Sequence, residues 1–176
     1  NLSDLGVALG SVLARGALTG GTWQVAGEVG SIAARAVGSA WAGDFPGGTG
    51  VVQTGGNFQG TLATPALQVL SVGGGLLGAQ LRIGADFGAD GRPGGSGANA
   101  DSFGIGFLGQ LRVGGSVIGA RVHVGVDPAN GVYDDGDDLI IGGPASRIQN
   151  IVVGGRIDST SRIVAGFLPA TLQIGG

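Results

Sequence analysis

The 176-residue chain contains no cysteine, no methionine and no lysine, so all nine of its basic residues are arginine. Because cysteine is absent, nothing in the chain can misoxidise, which is compatible with export. There is one histidine and no nearby His–Asp–Ser arrangement, so a nucleophilic triad is not expected. The net charge of −3 and the pI near 4.8 argue against a nucleic-acid partner, which requires a basic face.

Aromatic residues are also scarce, at 5% of the chain, which is too few for a bulky globular core. The longest apolar run is far below the roughly 18 residues of a membrane span. Residues 1–20 have no basic region or cleavage site, and the start at Asn1 predicts a processed or excised chain. Glycine is abundant instead, with 41 residues, and a further 43% of the chain is apolar. So many glycines disfavour long helices, and together with the apolar residues they suit tight coils with small corners.

A five-residue phrase, apolar–x–apolar–Gly–Gly, returns along the chain. It occupies 70–74, 111–115, 151–155 and 172–176, so its second glycines are 41, 40 and 21 residues apart. A fifth match, at 139–143, falls outside this spacing. Self-similarity at a fixed period indicates that one supersecondary unit is stacked several times.

Each copy holds two runs in which apolar and polar residues alternate, as in half-buried strands. The Gly-Gly pair lies between the runs, where a corner needs positive φ or a close backbone approach. We therefore predict an all-β chain: a β-solenoid (parallel β-helix) of stacked coils with Gly-Gly corners. A β-sandwich is the main alternative, because short strands separated by turns also fit it. The solenoid predicts one interior row of equivalent side chains: Leu70, Leu111, Ile151 and Leu172.

Two stretches rich in Gly, Asp and Pro, 86–101 and 127–138, lengthen the longer intervals. They are predicted to be loops on one side of the solenoid, since both occupy the same place in the repeat. The repeat is regular over 63–176. Residues 1–62 have a similar mixture of apolar residues and glycine, but their spacing matches the repeat only loosely. We predict one continuous domain, with degenerate N-terminal coils over 1–62 and regular repeats over 63–176.

The second loop concentrates oxygen ligands. Calcium takes about six to eight oxygens, and closely spaced carboxylates on a glycine-containing loop supply them. The spacing is not that of an EF-hand, and 94–99 is a single imperfect copy of a calcium nonapeptide. Solvated turn aspartates are the alternative interpretation. No catalytic or cofactor-binding residue is predicted, and the candidate calcium ligands are Asp127, Asn130, Asp134, Asp135, Asp137 and Asp138.

The only histidine, His123, shares an outward position with Arg82 and Arg162 when the repeats are aligned. The three are predicted to form rungs of one polar ladder on the outside of the coils.

Two carboxylates at equivalent positions, Asp86 and Asp127, lie about 5 Å apart if coils stack, a spacing suggestive of glycoside hydrolysis. Turn formation is the favoured interpretation of both. Calcium-binding aspartates with Arg82 or Arg121 would suit a pectate-lyase-like β-helix. The absence of lysine and the scarcity of aromatic sugar platforms weigh against that enzyme.

The Ile/Val-x-Val-Gly-Gly-x-Val pattern, the Ile-Val-Ala-Gly strand at 163–166 and the Asp-rich loops together resemble a known class of repeat. They are similar to the glycine-rich repeats of large exported bacterial β-helix proteins, which are surface and adhesin-like proteins. The resemblance covers 63–176. It implies a secreted, extracellular protein of the bacterial cell surface with a non-enzymatic structural or adhesive role. A carbohydrate-active β-helix enzyme, lyase or hydrolase-like, is the competing class, and an ice-binding solenoid lacks its Thr-x-Thr ladder here.

Both ends of the sequence, 5–13 and 172–176, are apolar and uncharged. Natural proteins blunt exposed strand edges, so these ends predict continued pairing. The partner is either a neighbouring repeat of a longer chain or another copy of this one. The second case is head-to-tail and would generate a filament; the alternative is an excised segment whose caps lie outside it.

Overall fold

Nearly all regular structure in the chain is β-strand, as the alternation predicts. A computed structural model describes residues 7–170 and 172–175, so Leu5, Gly6 and Gly176 of the predicted end segments lie outside the described residues. Three short 3-10 turns are the only helical elements within those ranges. The strands are β1 (Val7–Gln24), β2 (Glu28–Asp44), β3 (Thr49–Thr54), β4 (Thr61–Thr64), β5 (Ala66–Val72), β6 (Leu76–Leu77), β7 (Gln80–Ile83), β8 (Ala85–Asp86), β9 (Ser102–Phe103), β10 (Phe107–Val113), β11 (Val117–Ile118), β12 (Arg121–Val124), β13 (Val126–Asp127), β14 (Leu139–Ile140), β15 (Arg147–Val153), β16 (Arg162–Ala165) and β17 (Leu172–Ile174).

Eleven of these strands form one curled sheet in which every pair is parallel. The long strand β2 joins its two halves, because its first part pairs with β3 and its last part with β4. We call β3-β5-β10-β15-β17 the first ladder and β4-β7-β12-β16 the second ladder. A sandwich of antiparallel sheets does not pair its strands in this way.

The repeated phrase lies in register along the first ladder. Leu70 is opposite Leu111, Leu111 is opposite Ile151, and Ile151 is opposite Leu172. The first three side chains are at most 3% exposed, which confirms the predicted buried row for Leu70, Leu111 and Ile151. Leu172 is 45% exposed because β17 is the last strand of the ladder and pairs only with β15 among the described residues.

The Gly-Gly pairs are required by close backbone approach rather than by positive φ. Gly73, Gly114 and Gly154 follow the row residues in successive strands, and none of them has positive φ. A Cβ on Gly114 would lie less than 3.0 Å from the carbonyl oxygen of Gly73, and one on Gly154 equally close to that of Gly114. Glycine therefore recurs here because each corner rests directly on the backbone of the previous one.

A third, narrow set of parallel contacts connects the two ladders. It runs through Val37, Phe58, Leu76, Val117 and Ile157, each opposite the next. Side chains from all three sets form one apolar cluster. The few aromatic residues are concentrated at its N-terminal part, where Trp41 and Phe58 meet edge to face at 6.1 Å.

The two long insertions leave the second ladder from equivalent positions and return by short antiparallel pairs, β8 with β9 and β13 with β14. Both lie over the outer face of that ladder, where Pro93 of the first insertion and Tyr133 of the second line one pocket. The first insertion contacts β2, where the Phe87 amide donates to Asp44 Oδ1 at 3.3 Å. The second places Tyr133 over Arg82. The proposed division of the domain at residue 62 stays a prediction.

Asp158 fixes the turn between β15 and β16. Its carboxylate accepts hydrogen bonds from Ser161 Oγ at 2.6 Å, Thr160 Oγ1 at 2.7 Å and the Gly119 amide at 3.1 Å. The Ser161 and Thr160 hydroxyls, in that order, are the main reasons that the pKa of Asp158 is lowered to about 2.

Protonation of Asp158 is expected to weaken this turn. Because the folded-state pKa of Asp158 is depressed, its contribution to stability is present above the unfolded value of 3.8 and is lost as the pH falls towards about 2. Urea unfolding between pH 2 and 5 is expected to give a shallower pH dependence for Asp158→Asn than for the wild type. Asp90→Asn, in the first insertion, is the control. Parallel wild-type and D158N profiles would contradict the prediction.

Candidate functional site

The six predicted calcium ligands do not converge on one point. Oxygens of Asp135, Asp137 and Asp138 lie within 4.8 Å of one another, and Asn130 Nδ2 donates to Asp135 Oδ2 at 2.8 Å. The other two carboxylates point elsewhere. Asp127 Oδ1 accepts the Ala129 amide at 3.0 Å, and Asp134 turns towards His123. A cation site in this loop would therefore be built on Asp135, Asp137 and Asp138, which we call the acidic trio.

The side chains of Asp135 and Asp137 shift each other's pKa in opposite directions. The side-chain hydrogen bond to Asp135 raises the pKa of Asp137, whereas the hydrogen bond from Asn130 lowers the pKa of Asp135. Asp135 and Asp137 thus compete for one proton, which neutralises only one carboxylate. A divalent cation in the same place would balance the negative charge of both.

Calcium is expected to raise the melting temperature of the wild type in proportion to the logarithm of its concentration. At a hundredfold excess over Kd, the added stability of a one-site complex is about 2.7 kcal/mol. Asp137→Asn should abolish this effect, whereas Asp127→Asn, outside the acidic trio, should leave it unchanged. Thermal melts with calcium and with chelator measure it, and identical melts would make these residues ordinary turn formers.

A separate polar cluster lies beneath the second insertion, on the outer face of the second ladder. His123 and Arg82 are opposite each other in β12 and β7, as the repeat predicts. The predicted third rung is wrong, since Arg162 lies opposite Arg121 and Val164 lies opposite His123. Positions two apart share a face of a strand, so Arg162 is on the predicted face but one row away.

The cluster is also buried rather than exposed. His123 is 1% exposed and Arg82 is 8% exposed, because the second insertion covers both. The ring of Tyr133 stacks on His123 with centroids 4.6 Å apart and planes 18° from parallel. The guanidinium carbon of Arg82 lies 3.7 Å from the centroid of the same ring.

Hydrogen bonding fixes the form of His123. An arginine can only donate, so Nδ1 of His123 accepts from Arg82 Nη1. Nε2 then carries the proton and donates to Asp134 Oδ1 at 2.9 Å. Burial, followed by the charge of Arg82, lowers the pKa of His123 and favours this neutral form. Asp134 also forms an ion pair with Arg121, whose Nε lies 3.3 Å from Asp134 Oδ2.

The sequence analysis does not predict a role for Tyr133, the single tyrosine, although its position inside an Asp-rich loop is a signal that points to it. Burial raises its pKa to about 12, so the phenol is neutral. Its buried hydroxyl has no hydrogen-bond partner among the described residues.

A pocket of about 310 Å³ opens where the two insertions meet above the second ladder. We call it the inter-loop pocket. Its lining residues include two arginines and no carboxylate; they are Thr61, Gln80, Arg82, Pro93, Arg121, Gly131, Val132 and Tyr133.

The carboxylates considered for glycoside hydrolysis lie at turns. Asp86 Oδ1 accepts the Gly88 amide and Asp127 Oδ1 accepts the Ala129 amide, each at 3.0 Å. Both aspartates therefore have the turn-forming contacts that the sequence favours for them.

Comparisons with protein-family models, curated proteins and solved structures gave no significant match for this chain. Within residues 7–170 and 172–175, no helix has the length and apolar character needed to cross a membrane.

Proposed function

We propose that the chain is a non-enzymatic structural or adhesive module built as a closed β-solenoid, at the bacterial cell surface. The proposal rests on the register of the first ladder, in which each copy of the repeated phrase lies opposite the next copy, from Leu70 to Leu172. The chain also visits the first ladder, the narrow connecting set and the second ladder in the same order at each repeat. This cyclic order supports complete coils, and stacked coils of one kind suit an extended scaffold.

The outermost strands favour further stacking at both ends. Among the described residues β1 pairs only with β2, so Val12, which lies opposite the buried Ile32, has no strand on its other side. At the other end Leu172 and Ile174 are 45% and 48% exposed, respectively. Such apolar, open edges are templates for another strand. We propose that another repeat covers them, either within a longer chain or in a second copy.

An enzyme is less well supported. The discriminating feature of a carbohydrate-active β-helix is a groove in which carboxylates and an arginine converge. The inter-loop pocket has the arginines, but no carboxylate lines it. The acidic trio is in the second insertion, apart from that lining.

Self-association is expected to increase with protein concentration in sedimentation velocity and light scattering, and electron microscopy should reveal linear assemblies. Val12→Lys and Ile174→Lys place a charge in the inward-facing row of opposite open edges, so each should shift the protein towards smaller species. Ile118→Lys is the matched control, because Ile118 is 39% exposed but lies on β11, away from both edges. A wild-type chain that stays monomeric at high concentration would contradict self-assembly.

A further inference from the structure

The inter-loop pocket is built from elements far apart in the sequence. Thr61, Gln80 and Arg121 lie in one row of the second ladder, each opposite the next. Pro93 comes from the first insertion and Tyr133 from the second. The pocket therefore exists only where both insertions fold over the ladder.

Arg82 lacks a carboxylate partner in direct contact. Its Nη2 donates to Gln80 Oε1 at 2.6 Å and its Nη1 donates to His123, both of which are neutral acceptors. Among the described residues the nearby carboxylate, Asp134, is instead paired with Arg121 and His123. A largely buried cation without a contacting anion carries an uncompensated desolvation cost.

Arg121 offers free donors beside it. Its Nε faces Asp134, and its side chain is 46% exposed. Its two terminal nitrogens make no hydrogen bond within the described part of the chain, so they are available to a ligand. The planar fork of a guanidinium matches the oxygens of a carboxylate or phosphate.

We propose that the inter-loop pocket binds a small organic anion, with Arg121 and Arg82 holding its carboxylate or phosphate group. The volume of about 310 Å³ suits a ligand of monosaccharide size, at the low end of small-molecule sites. Gln80 and Thr61 also line the pocket, and their side chains carry neutral polar groups that can pair with the rest of the ligand. This site goes beyond the structural role, and its occupancy does not depend on self-association.

Calorimetric titration of the full chain with three related probes tests the site at constant ionic strength. The probes are glucuronate, glucose 6-phosphate and uncharged glucose. We expect saturable one-site binding of at least one anion, at least tenfold tighter than glucose. The anion that binds identifies the preferred group.

Variants then assign the binding to the pocket. Arg121→Gln should weaken anion binding at least tenfold, because it removes the free fork. Arg162→Gln, the same residue type opposite Arg121 on the next strand and outside the lining, should leave it unchanged. Val132→Glu offers a second test on an exposed lining residue, 55% exposed, whose new carboxylate should compete for the arginines.

Three results would overturn the proposal. The first is that neither anion binds the folded wild type saturably. The second is that glucose binds as tightly as both anions. The third is equal weakening by R121Q and R162Q, which would indicate general attraction to surface arginines.

Discussion

Replacing Gly114 with alanine is expected to lower the free energy of unfolding by roughly 2–4 kcal/mol. The added Cβ would lie less than 3.0 Å from the carbonyl oxygen of Gly73, a backbone atom that cannot rotate away. The Gly114 amide also donates to the Val72 carbonyl at 2.7 Å, so a shift that relieves the contact stretches a ladder hydrogen bond. Urea denaturation, followed by circular dichroism, measures the change.

Gly104→Ala is the matched control for this substitution. A Cβ on Gly104 meets nothing within 4 Å, and its φ is not positive. Alanine there should be neutral or should stabilise by about 0.4–1 kcal/mol through the unfolded chain. Equal effects of the two substitutions would mean that the glycine column is not a steric requirement.

Leu111→Ala is expected to destabilise the fold by about 2–5 kcal/mol, because it removes a fully buried side chain and leaves a cavity. Leu111 lies opposite Leu70 on one side and Ile151 on the other, so both neighbours lose a packing partner. A lower urea midpoint with an unchanged slope would report the loss.

Leu172→Ala probes the same row at its open end. Leu172 is 45% exposed, so its truncation should cost well under about 1 kcal/mol in a monomer. In an assembled state the cost should rise, because the proposed neighbouring repeat would bury that side chain. A loss for L172A as large as that for L111A at low protein concentration would contradict the exposed position of β17.

How far the site could be foreseen varies with the kind of contact involved. The pairing of Arg82 with His123 follows from repeat spacing, since parallel strands in register place equivalent residues side by side. The position of Arg162 did not follow, because the third copy has one more residue than the second between its connecting contact and β16: Val117 to Arg121 is four residues, and Ile157 to Arg162 is five. The cover provided by Tyr133 depends on how an irregular loop folds back, and no periodicity encodes that.

The amino-acid sequence by itself determined the β-class of this protein, the register of its repeated phrase and the places where its two insertions leave the ladder. Those properties are local or periodic: alternation defines a strand face, and equal spacing aligns Leu70, Leu111 and Ile151. Only the tertiary structure decided that the Asp134 carboxylate pairs with His123 and Arg121 instead of joining the acidic trio. It also decided that two insertions enclose a pocket over Arg82. Such contacts join residues through the path of a folded loop, which spacing along the chain does not record.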